Sequence, residues 1–443
     1  MKFFKSLYIN QSLFNVLGAL VVLFVVGFFF PVIFLITRLL LLLVIVLFVV
    51  DVLSLYRNKK GIFARRDSMD KLSNGDKNEI QIVVENAYQF AIKLKIIDEI
   101  PFQFQARDTV FNLKLEKGQK KLLKYYLHPV ERGEYSFGSV NVYATGLIGF
   151  VAKRYQFSQN TTVPVYPSFM QMRKYELMAI SNRLTEVGVK KIRKIGQNTE
   201  FEQIKEYVFG DDFKTINWKA TARKSRLMVN QYQDERSQNV YSIIDMGRAM
   251  KMPFNGLTLL DYAINTSLVI SNIAIQKHDK AGLLTFNNKI KTMLAADRRG
   301  TQMHKIMELL YNQKTGFADS NFEALNLAIK YKINQRSLIL LYTNFETMDS
   351  LNRQMKYLRS IAKSHLLVVV FFENAELIKL INKEVENTVD VYKQTVAEKF
   401  AFEKRLIVKE LKKYGIHSIL AEPENLTVNS INKYLEIKAR NLL

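Results

Sequence analysis

The hydrophobic pattern of the chain begins with a long apolar run. Residues 13–50 are almost continuously apolar, and only Asn15, Thr37 and Arg38 interrupt them with polar groups. A single helix of this length would extend roughly 60 Å, about twice the ~30 Å hydrocarbon core of a bilayer. The run therefore predicts a transmembrane helical hairpin within residues 1–56, with spans at residues 13–30 and 39–56 and a turn around Pro31 and Arg38.

Charged residues flank this hairpin unevenly. Lys2 and Lys5 precede it, the basic residues Arg57, Lys59, Lys60, Arg65 and Arg66 follow it, and the turn carries Arg38 alone. Because positive charge accumulates on the cytoplasmic side, we expect a multi-pass protein of the cytoplasmic (inner) membrane whose soluble part faces the cytosol. Asp51, near the inner end of the second span, is expected to be an interfacial carboxylate facing the basic stretch, the alternative being a role in an ion pathway.

Residues 57–168 show a pattern of period two. Ile80, Ile82 and Val84 alternate with other residues, and residues 90–96 repeat the alternation. Turn signals such as residues 74–75, 98–101, 129–133 and 146–149 separate these runs. Several short strands with intervening turns predict an antiparallel, Ig-like β-sandwich of about 100 residues.

The pattern of apolar and polar residues changes again in residues 238–443. Short buried-strand runs at residues 240–244, 281–286, 337–342 and 366–372 alternate with amphipathic stretches, of which residues 257–276 are the clearest. This alternation predicts a doubly wound α/β domain with a mostly parallel sheet, closed by a helix, a strand and a helix at residues 401–440. Residues 169–237 are interpreted as a charged connecting segment.

Composition limits the possible chemistry. The 443 residues carry a formal charge of +23 and contain five His and no Cys, which excludes disulfides, Cys-ligated zinc and thiol nucleophiles. Residues 57–443 retain +21, and attraction to an anionic membrane surface explains much of this charge. The basic run Lys190, Lys191, Arg193 and Lys194 leaves nucleic-acid binding open as an alternative, although no nucleic-acid-binding motif accompanies it.

Residues 210–236, GDDFKTINWKATARKSRLMVNQYQDER, form the densest group of polar and charged residues and contain the only Trp of the chain. One interpretation is a structural lock in which charged groups pair and Trp218 is a packing anchor; a second is a docking surface for a partner. A third, less favoured, is a catalytic pair of carboxylates. The residues singled out are Gly210, Asp211, Asp212, Asn217, Trp218, Lys219, Thr221, Arg223, Glu235 and Arg236.

With this motif at its centre, essentially the whole chain resembles a known bacterial family, domain-of-unknown-function family 58 (DUF58). The similar elements are FEQIKEYVFGDDFKTINWKATAR, RLMVNQYQDER, IIDMGRAM and INKYLEIKAR, with YYLHPVERGEYSFGSVNVYATGLIGF and VPVYPSF upstream. This resemblance implies a von Willebrand factor A-like α/β domain after the motif. It also implies association with MoxR-type AAA+ ATPases in systems that assist maturation of other proteins.

A von Willebrand A domain can hold Mg²⁺ through D-x-S-x-S and a later Thr and Asp. Carried over to this chain, Asp245 matches, Gly247 and Ala249 replace the two serines, Asn344 stands at the later acid, and Ser320 aligns loosely with the Thr. Mg²⁺ requires several oxygen ligands, and Arg248 adds a repelling charge. We therefore expect no metal and no cofactor, with Asp245 paired to Arg248 or capping the next helix.

Together these patterns predict a membrane-anchored, non-enzymatic scaffold that presents its α/β domain for protein-protein interaction. The expected partners are a MoxR-type AAA+ ATPase, other membrane or cytosolic proteins, and membrane lipid. The chain has no phosphate-binding loop, no G-x-G-x-x-G, no H-E-x-x-H and no G-x-S-x-G. Two alternatives remain: a module that binds nucleic acid or anionic lipid, and an uncharacterised enzyme that uses residues 210–236.

Overall fold

A computed structural model describes residues 2–58, 61–67, 70–105, 110–158, 161–180, 200–209, 211, 213–233, 237–384, 387–440 and 442. Its contacts divide the chain into two compact units, Met1–Tyr166 and Pro167–Leu443. The second unit includes the segment that the sequence presents as a connection. The two units are described in turn.

Three helices open the first unit: α1 (Lys2–Ser6), α2 (Gln11–Phe29) and α3 (Pro31–Tyr56). Both α2 and α3 are long and apolar enough to cross a membrane. The predicted turn is wrong in extent, because Phe30 alone separates the two helices. Proline is well tolerated at a first helical position, so α3 starts at Pro31. Arg38 consequently lies within α3, with its guanidinium 4.5 Å from the centre of the Phe34 ring.

Short strands make up most of the remainder of this unit. They are β1 (Leu7–Ile9), β2 (Ile62–Asp67), β3 (Leu72–Ser73), β4 (Asn78–Asn86), β5 (Ile92–Asp98), β6 (Val110–Leu115), β7 (Lys120–Leu127), β8 (Gly133–Phe137), β9 (Val140–Thr145), β10 (Val151–Phe157) and β11 (Thr161–Tyr166). They form sheets of order β1-β10-β9-β5-β6, β2-β4-β7 and β3-β11-β8, with antiparallel pairing except between β3 and β11.

The period-two pattern corresponds to the buried faces of these sheets. Ile80, Ile82 and Val84 on β4 are fully buried. Ile92 and Ile96 on β5 are no more than 1% exposed. Alternation places such side chains on one face of a pleated strand, where they exclude water. The predicted sheet-rich unit with antiparallel strands is thus present.

Asp51 is buried in this unit, and the expectation that it faces the basic stretch is wrong. Its carboxylate accepts backbone hydrogen bonds from Ile148 (3.1 Å), Phe150 (3.0 Å) and Val151 (3.1 Å). The first two amides lie in the turn between β9 and β10, and the third is that of the first residue of β10. A second bond ties the end of α3 to the sheets, because Lys153 Nζ donates to the carbonyl oxygen of Leu55 at 3.1 Å. Asp51 therefore clamps the second apolar helix to the sheet domain.

The second unit contains a larger set of elements. Its helices are α4 (Phe169–Ile180), α5 (Trp218–Lys224), α6 (Leu259–Gln276), α7 (Thr301–Tyr311), α8 (Phe322–Lys332), α9 (Met348–Ser364), α10 (Ala375–Ile381), α11 (Thr388–Lys413) and α12 (Leu426–Ala439). Its strands are β12 (Glu200–Glu206), β13 (Met228–Gln233), β14 (Asn239–Asp245), β15 (Pro253–Phe254), β16 (Leu257–Thr258), β17 (Lys280–Phe286), β18 (Ile290–Asp297), β19 (Leu338–Tyr342), β20 (Leu366–Phe372) and β21 (His417–Ala421).

A six-stranded sheet of order β18-β17-β14-β19-β20-β21 organises this unit. Its strands pair in parallel except β18, which runs antiparallel at one edge. Separate apolar cores cover the two faces, one with α6, α7 and α12 and the other with α8, α9 and α11. The alternation of buried strands and helices in the sequence predicted this doubly wound arrangement. Helix α6 begins two residues later than predicted, because Thr258 and Asp261 form a capping box at its start.

Candidate functional site

The predicted strand-end site is centred on Asp245, the last residue of β14. Both of its carboxylate oxygens accept hydrogen bonds: Oδ1 accepts from Gly247 N at 2.8 Å and from the hydroxyl of Ser320, and Oδ2 accepts from the hydroxyl of Thr343 at 2.7 Å. Asp245 is only 2% exposed. Its burial raises the pKa of this carboxyl above the ordinary value, although the three donors act in the opposite direction.

The fold explains why these groups meet. Asp245 ends β14 and Thr343 directly follows β19, and the carboxyl ends of these neighbouring parallel strands share one edge of the sheet. Ser320 lies shortly before α8 and approaches from the loop. A Cβ atom at position 247 would lie 2.1 Å from the Ser320 hydroxyl, so glycine permits this approach. Thr343 is not among the predicted site residues, although its place directly after the apolar run at residues 337–342 could have indicated it.

The other predicted positions at this edge have different partners. Arg248 pairs with Asp319 at 2.9 Å, so the expected pairing of Asp245 with Arg248 is wrong. Asn344 accepts a hydrogen bond at Oδ1 from Lys404 Nζ at 2.7 Å. Ala249 lines a crevice of about 460 Å³ that opens beside Asp245 and Ser320.

These residues do not fit a magnesium ion. Mg²⁺ requires near-octahedral oxygen ligands and is usually held by carboxylates. Here Asp245 supplies the only carboxylate among the five predicted positions, and hydrogen-bond donors engage both of its oxygens. The Asn344 oxygen accepts from an ammonium group, which would also repel the cation.

The second candidate region is the family-like motif. Strands β12 and β13 pair as an antiparallel hairpin, and α5 lies in the connection between them. Asn217 caps α5 by accepting from Ala220 N at 3.0 Å, and its amide donates to Asn230 Oδ1 at 2.8 Å. The Thr221 hydroxyl accepts from Met228 N at 3.0 Å. Asn217 and Thr221 thus fasten α5 to β13.

The acidic and basic residues of the motif are less closely engaged. Asp211 accepts from Val208 N at 3.0 Å and from Lys205 Nζ at 2.9 Å. The Val208 amide and then the Lys205 ammonium hold the pKa of Asp211 below its ordinary value. Lys219 and Arg223 are exposed on α5. Gly210, Asp212, Glu235 and Arg236 lie outside the described residues, as does the basic run of residues 190–194.

Several apolar side chains in and next to the motif are strongly exposed, although Met228 and Val229 on β13 are buried. Phe209 is 99% exposed, and Phe213 and Trp218 are each 70% exposed. The interpretation of Trp218 as a packing anchor is therefore wrong. Val208 and Leu227 are also exposed. We call these five side chains, Val208, Phe209, Phe213, Trp218 and Leu227, the motif surface; it lies on the connection between β12 and β13.

Comparison with known proteins places this region in a family. Residues 203–410 match the model for "Protein of unknown function DUF58". The chain is 27% identical over 202 residues to "Uncharacterized protein YeaD" of Bacillus subtilis (strain 168), an alignment that covers 44% of this chain. It spans half of the length of that relative.

Two solved structures show weaker similarity. The conserved hypothetical protein BatB from Bacteroides thetaiotaomicron is 12% identical, with 46% of this chain and all of that chain covered and a TM-score of 0.29. The PapD-like domain 7 of human CEP192 is 16% identical, with 24% of this chain and 85% of that chain covered and a TM-score of 0.18. Scores of this size support no conclusion about fold or function. The resemblance seen in the central motif is nevertheless confirmed over residues 203–410, which match the DUF58 family of unknown function.

Proposed function

We propose that this protein is a membrane-anchored, non-enzymatic scaffold that binds other proteins through its second unit. The observation that carries the proposal is the motif surface, where three aromatic side chains are at least 70% exposed. Exposed apolar groups of this size in one segment are typical of protein-protein interaction sites, because water contact with them is unfavourable. Aromatic side chains also supply much of the binding energy at such interfaces.

The anchor in this proposal consists of α2 and α3. Their 19 and 26 residues correspond to roughly 28 and 39 Å of helix; the first nearly matches and the second exceeds a hydrocarbon core of ~30 Å, and both have the length that membrane-spanning helices need. The basic residues around the hairpin favour a cytosolic location for both units. We describe the sheets of the first unit as an Ig-like sandwich that the Asp51 clamp holds close to the membrane.

The second unit is, in this proposal, a von Willebrand factor A-like domain that binds its partner without a metal. Its sheet order, its single antiparallel edge strand and the place of Asp245 support that assignment. The engaged oxygens of Asp245 support metal-independent binding. The family resemblance favours a MoxR-type AAA+ ATPase as the partner.

Site-specific photocrosslinking in native membranes tests this function. A photoreactive amino acid at position 218 should crosslink to a MoxR-type AAA+ ATPase, identified by mass spectrometry. The matched control is position 331, because Tyr331 is 75% exposed and lies on α8. Equal crosslinking at the two positions, or crosslinks at position 218 that never include the ATPase, would overturn the proposed partnership.

A further inference from the structure

A second cavity lies at the carboxyl ends of β19 and β20, beside the crevice at Asp245. Its volume is about 250 Å³. Its walls are mainly apolar and include Met252, Phe254, Leu259, Phe372, Leu377 and Phe400. Ligand pockets commonly have volumes of roughly 300 to 1,000 Å³, so a cavity of this size is suited to a group such as a single side chain.

One amine is held against these apolar walls. Lys404, on α11, donates to Asn344 Oδ1 at 2.7 Å, and its Nζ lies 5.7 Å from the centre of the Phe371 ring. Burial lowers the pKa of Lys404 to about 8, while Glu346 and Glu373 favour its charged form. A charged amine in such a place lowers the stability of the fold, and groups of this kind are frequent at binding sites.

The charges around the cavity differ in sign from those of the whole chain. Glu346, Glu373 and Glu376 line it together with Lys404, so negative charge is in excess here, whereas the chain carries +23. Glu346 and Glu376 are exposed, and Glu373 is partly exposed. An entering group therefore meets carboxylates at the rim and hydrocarbon inside. Complementary charge favours a cationic partner and repels an anionic one.

We propose that this cavity, which we call the acidic-rim pocket, binds an apolar side chain flanked by Lys or Arg on a partner protein. The apolar side chain packs against Phe254, Leu377 and Phe400, and the flanking cations face Glu346 and Glu373. The inference goes beyond the proposed function, since the pocket shares no residue with the motif surface and requires no particular ATPase. The crosslinking result at position 218 and the binding result at this pocket can therefore fail separately.

Peptides matched in length test the proposal. The full chain, in nanodiscs of zwitterionic lipid and with ¹³C-methyl Met, reports binding through Met252, which lines the pocket. The probes are acetylated tripeptide amides of sequence Lys-Leu-Arg, Lys-Ala-Arg and Glu-Leu-Glu. We expect saturable shifts of the Met252 methyl signal with the first peptide, and affinities lower by at least about fivefold for each of the other two.

Variants separate the charge of the rim from the shape of the cavity. E346Q/E373Q should reduce the preference for Lys-Leu-Arg over Glu-Leu-Glu to less than about twofold. The matched control is E384Q/E398Q, which changes two exposed acids that do not line the pocket and should retain the preference. An unchanged Met spectrum in the absence of peptide verifies that each variant is folded. Tighter binding of Glu-Leu-Glu, equal binding of Lys-Ala-Arg, or no saturable shift at Met252 would overturn the proposal.

Discussion

Asp51 and Asp245 are both buried carboxylates that accept three hydrogen bonds, but their donors differ. The donors to Asp51 are three backbone amides of the turn after β9 and of the first residue of β10. The donors to Asp245 are two side-chain hydroxyls and one amide. A hydroxyl can rotate to another acceptor, whereas an amide in a fixed turn cannot. The first arrangement is suited to a permanent structural clamp, and the second to the edge of a binding crevice.

Lys404 extends this comparison, because among the described residues Asn344 is its one hydrogen-bond acceptor. Trp218 differs from these three buried side chains, since most of its surface contacts water. The energetic effect of a substitution should therefore fall from Asp51 to Asp245, change sign at Lys404, and nearly vanish at Trp218.

The largest effect is expected for Asp51→Ala. The substitution leaves three buried amides without an acceptor, each at a cost of roughly 1–3 kcal/mol, and we expect the free energy of unfolding to fall by about 3–5 kcal/mol. Equilibrium unfolding of the full chain in nanodiscs measures the loss. Amide hydrogen exchange should also accelerate at Ile148, Phe150 and Val151.

Two further substitutions examine the same clamp. Asp51→Asn retains one acceptor oxygen, so the free energy of unfolding should fall by about half as much as in Asp51→Ala. Gly146→Ala would place Cβ 2.1 Å from Asp51 Oδ1, so it should destabilise the wild type more than the Asp51→Ala variant. Unchanged stability in Asp51→Ala would show that the amides find other acceptors, and Asp51 would then not be a clamp.

The clamp also shows what the sequence alone could predict. The alternation at Ile80, Ile82 and Val84 identifies buried faces, because it is a local property of a strand. Asp51 contacts residues about a hundred positions later, and no local pattern contains that information. The predicted turn was misplaced because Pro31 and Arg38 were both assigned to it, whereas Pro31 begins α3 and Arg38 lies within this helix beside Phe34.

The sequence also does not reveal the long-range contacts of the strand-end site around Asp245. Asp245 could be located from the buried run at residues 240–244 and the family resemblance, since parallel strands end at one edge. Its partners Ser320 and Thr343 are separated from it by 75 and 98 positions, and only Ser320 was identified, through a loose alignment. The role of Trp218 was misjudged because sequence does not reveal whether an aromatic side chain is buried or exposed.

The second effect in size is expected for Asp245→Ala, with a loss of about 2–3 kcal/mol of stability. Asp245→Asn should cost less than about 1 kcal/mol, because its amide oxygen can still accept from Gly247 N and the Ser320 hydroxyl, while the Thr343 hydroxyl can rotate to accept from the amide NH₂. Thermal unfolding of the full chain compares the two variants with Asp51→Ala. Equal losses at positions 51 and 245 would remove the distinction between amide and hydroxyl donors.

The pH dependence of stability provides a second test of Asp245. Because burial raises the pKa of Asp245 in the folded state, the folded protein binds more protons than the unfolded chain. The contribution of this group to stability is therefore fully present below the unfolded pKa, near 3.8, and is lost as the pH rises through the raised folded pKa. Asp245→Asn should abolish this component of the stability profile; an unaltered profile would contradict the assignment.

A change of opposite sign is expected for Lys404→Met. Removing a buried amine whose pKa is lowered to about 8 should increase stability by about 1–3 kcal/mol near neutral pH. In the wild type the unfolded chain binds more protons between pH 8 and 10.5, so stability rises through that window, and Lys404→Met should lack this rise. Destabilisation by Lys404→Met would mean that the bond to Asn344 outweighs the cost of burial.

The smallest effect on stability is expected for Trp218→Ala. Since the side chain is 70% exposed, its removal should change the free energy of unfolding by no more than about 0.5 kcal/mol. If the proposed partner is a MoxR-type AAA+ ATPase, the same variant should weaken binding to it at least about tenfold, because exposed aromatic groups at interfaces supply a large part of the binding energy. Unfolding and pull-down with the purified ATPase measure the two quantities. A large loss of stability would restore the packing-anchor interpretation, whereas unchanged stability with lost binding separates the motif surface from the buried groups.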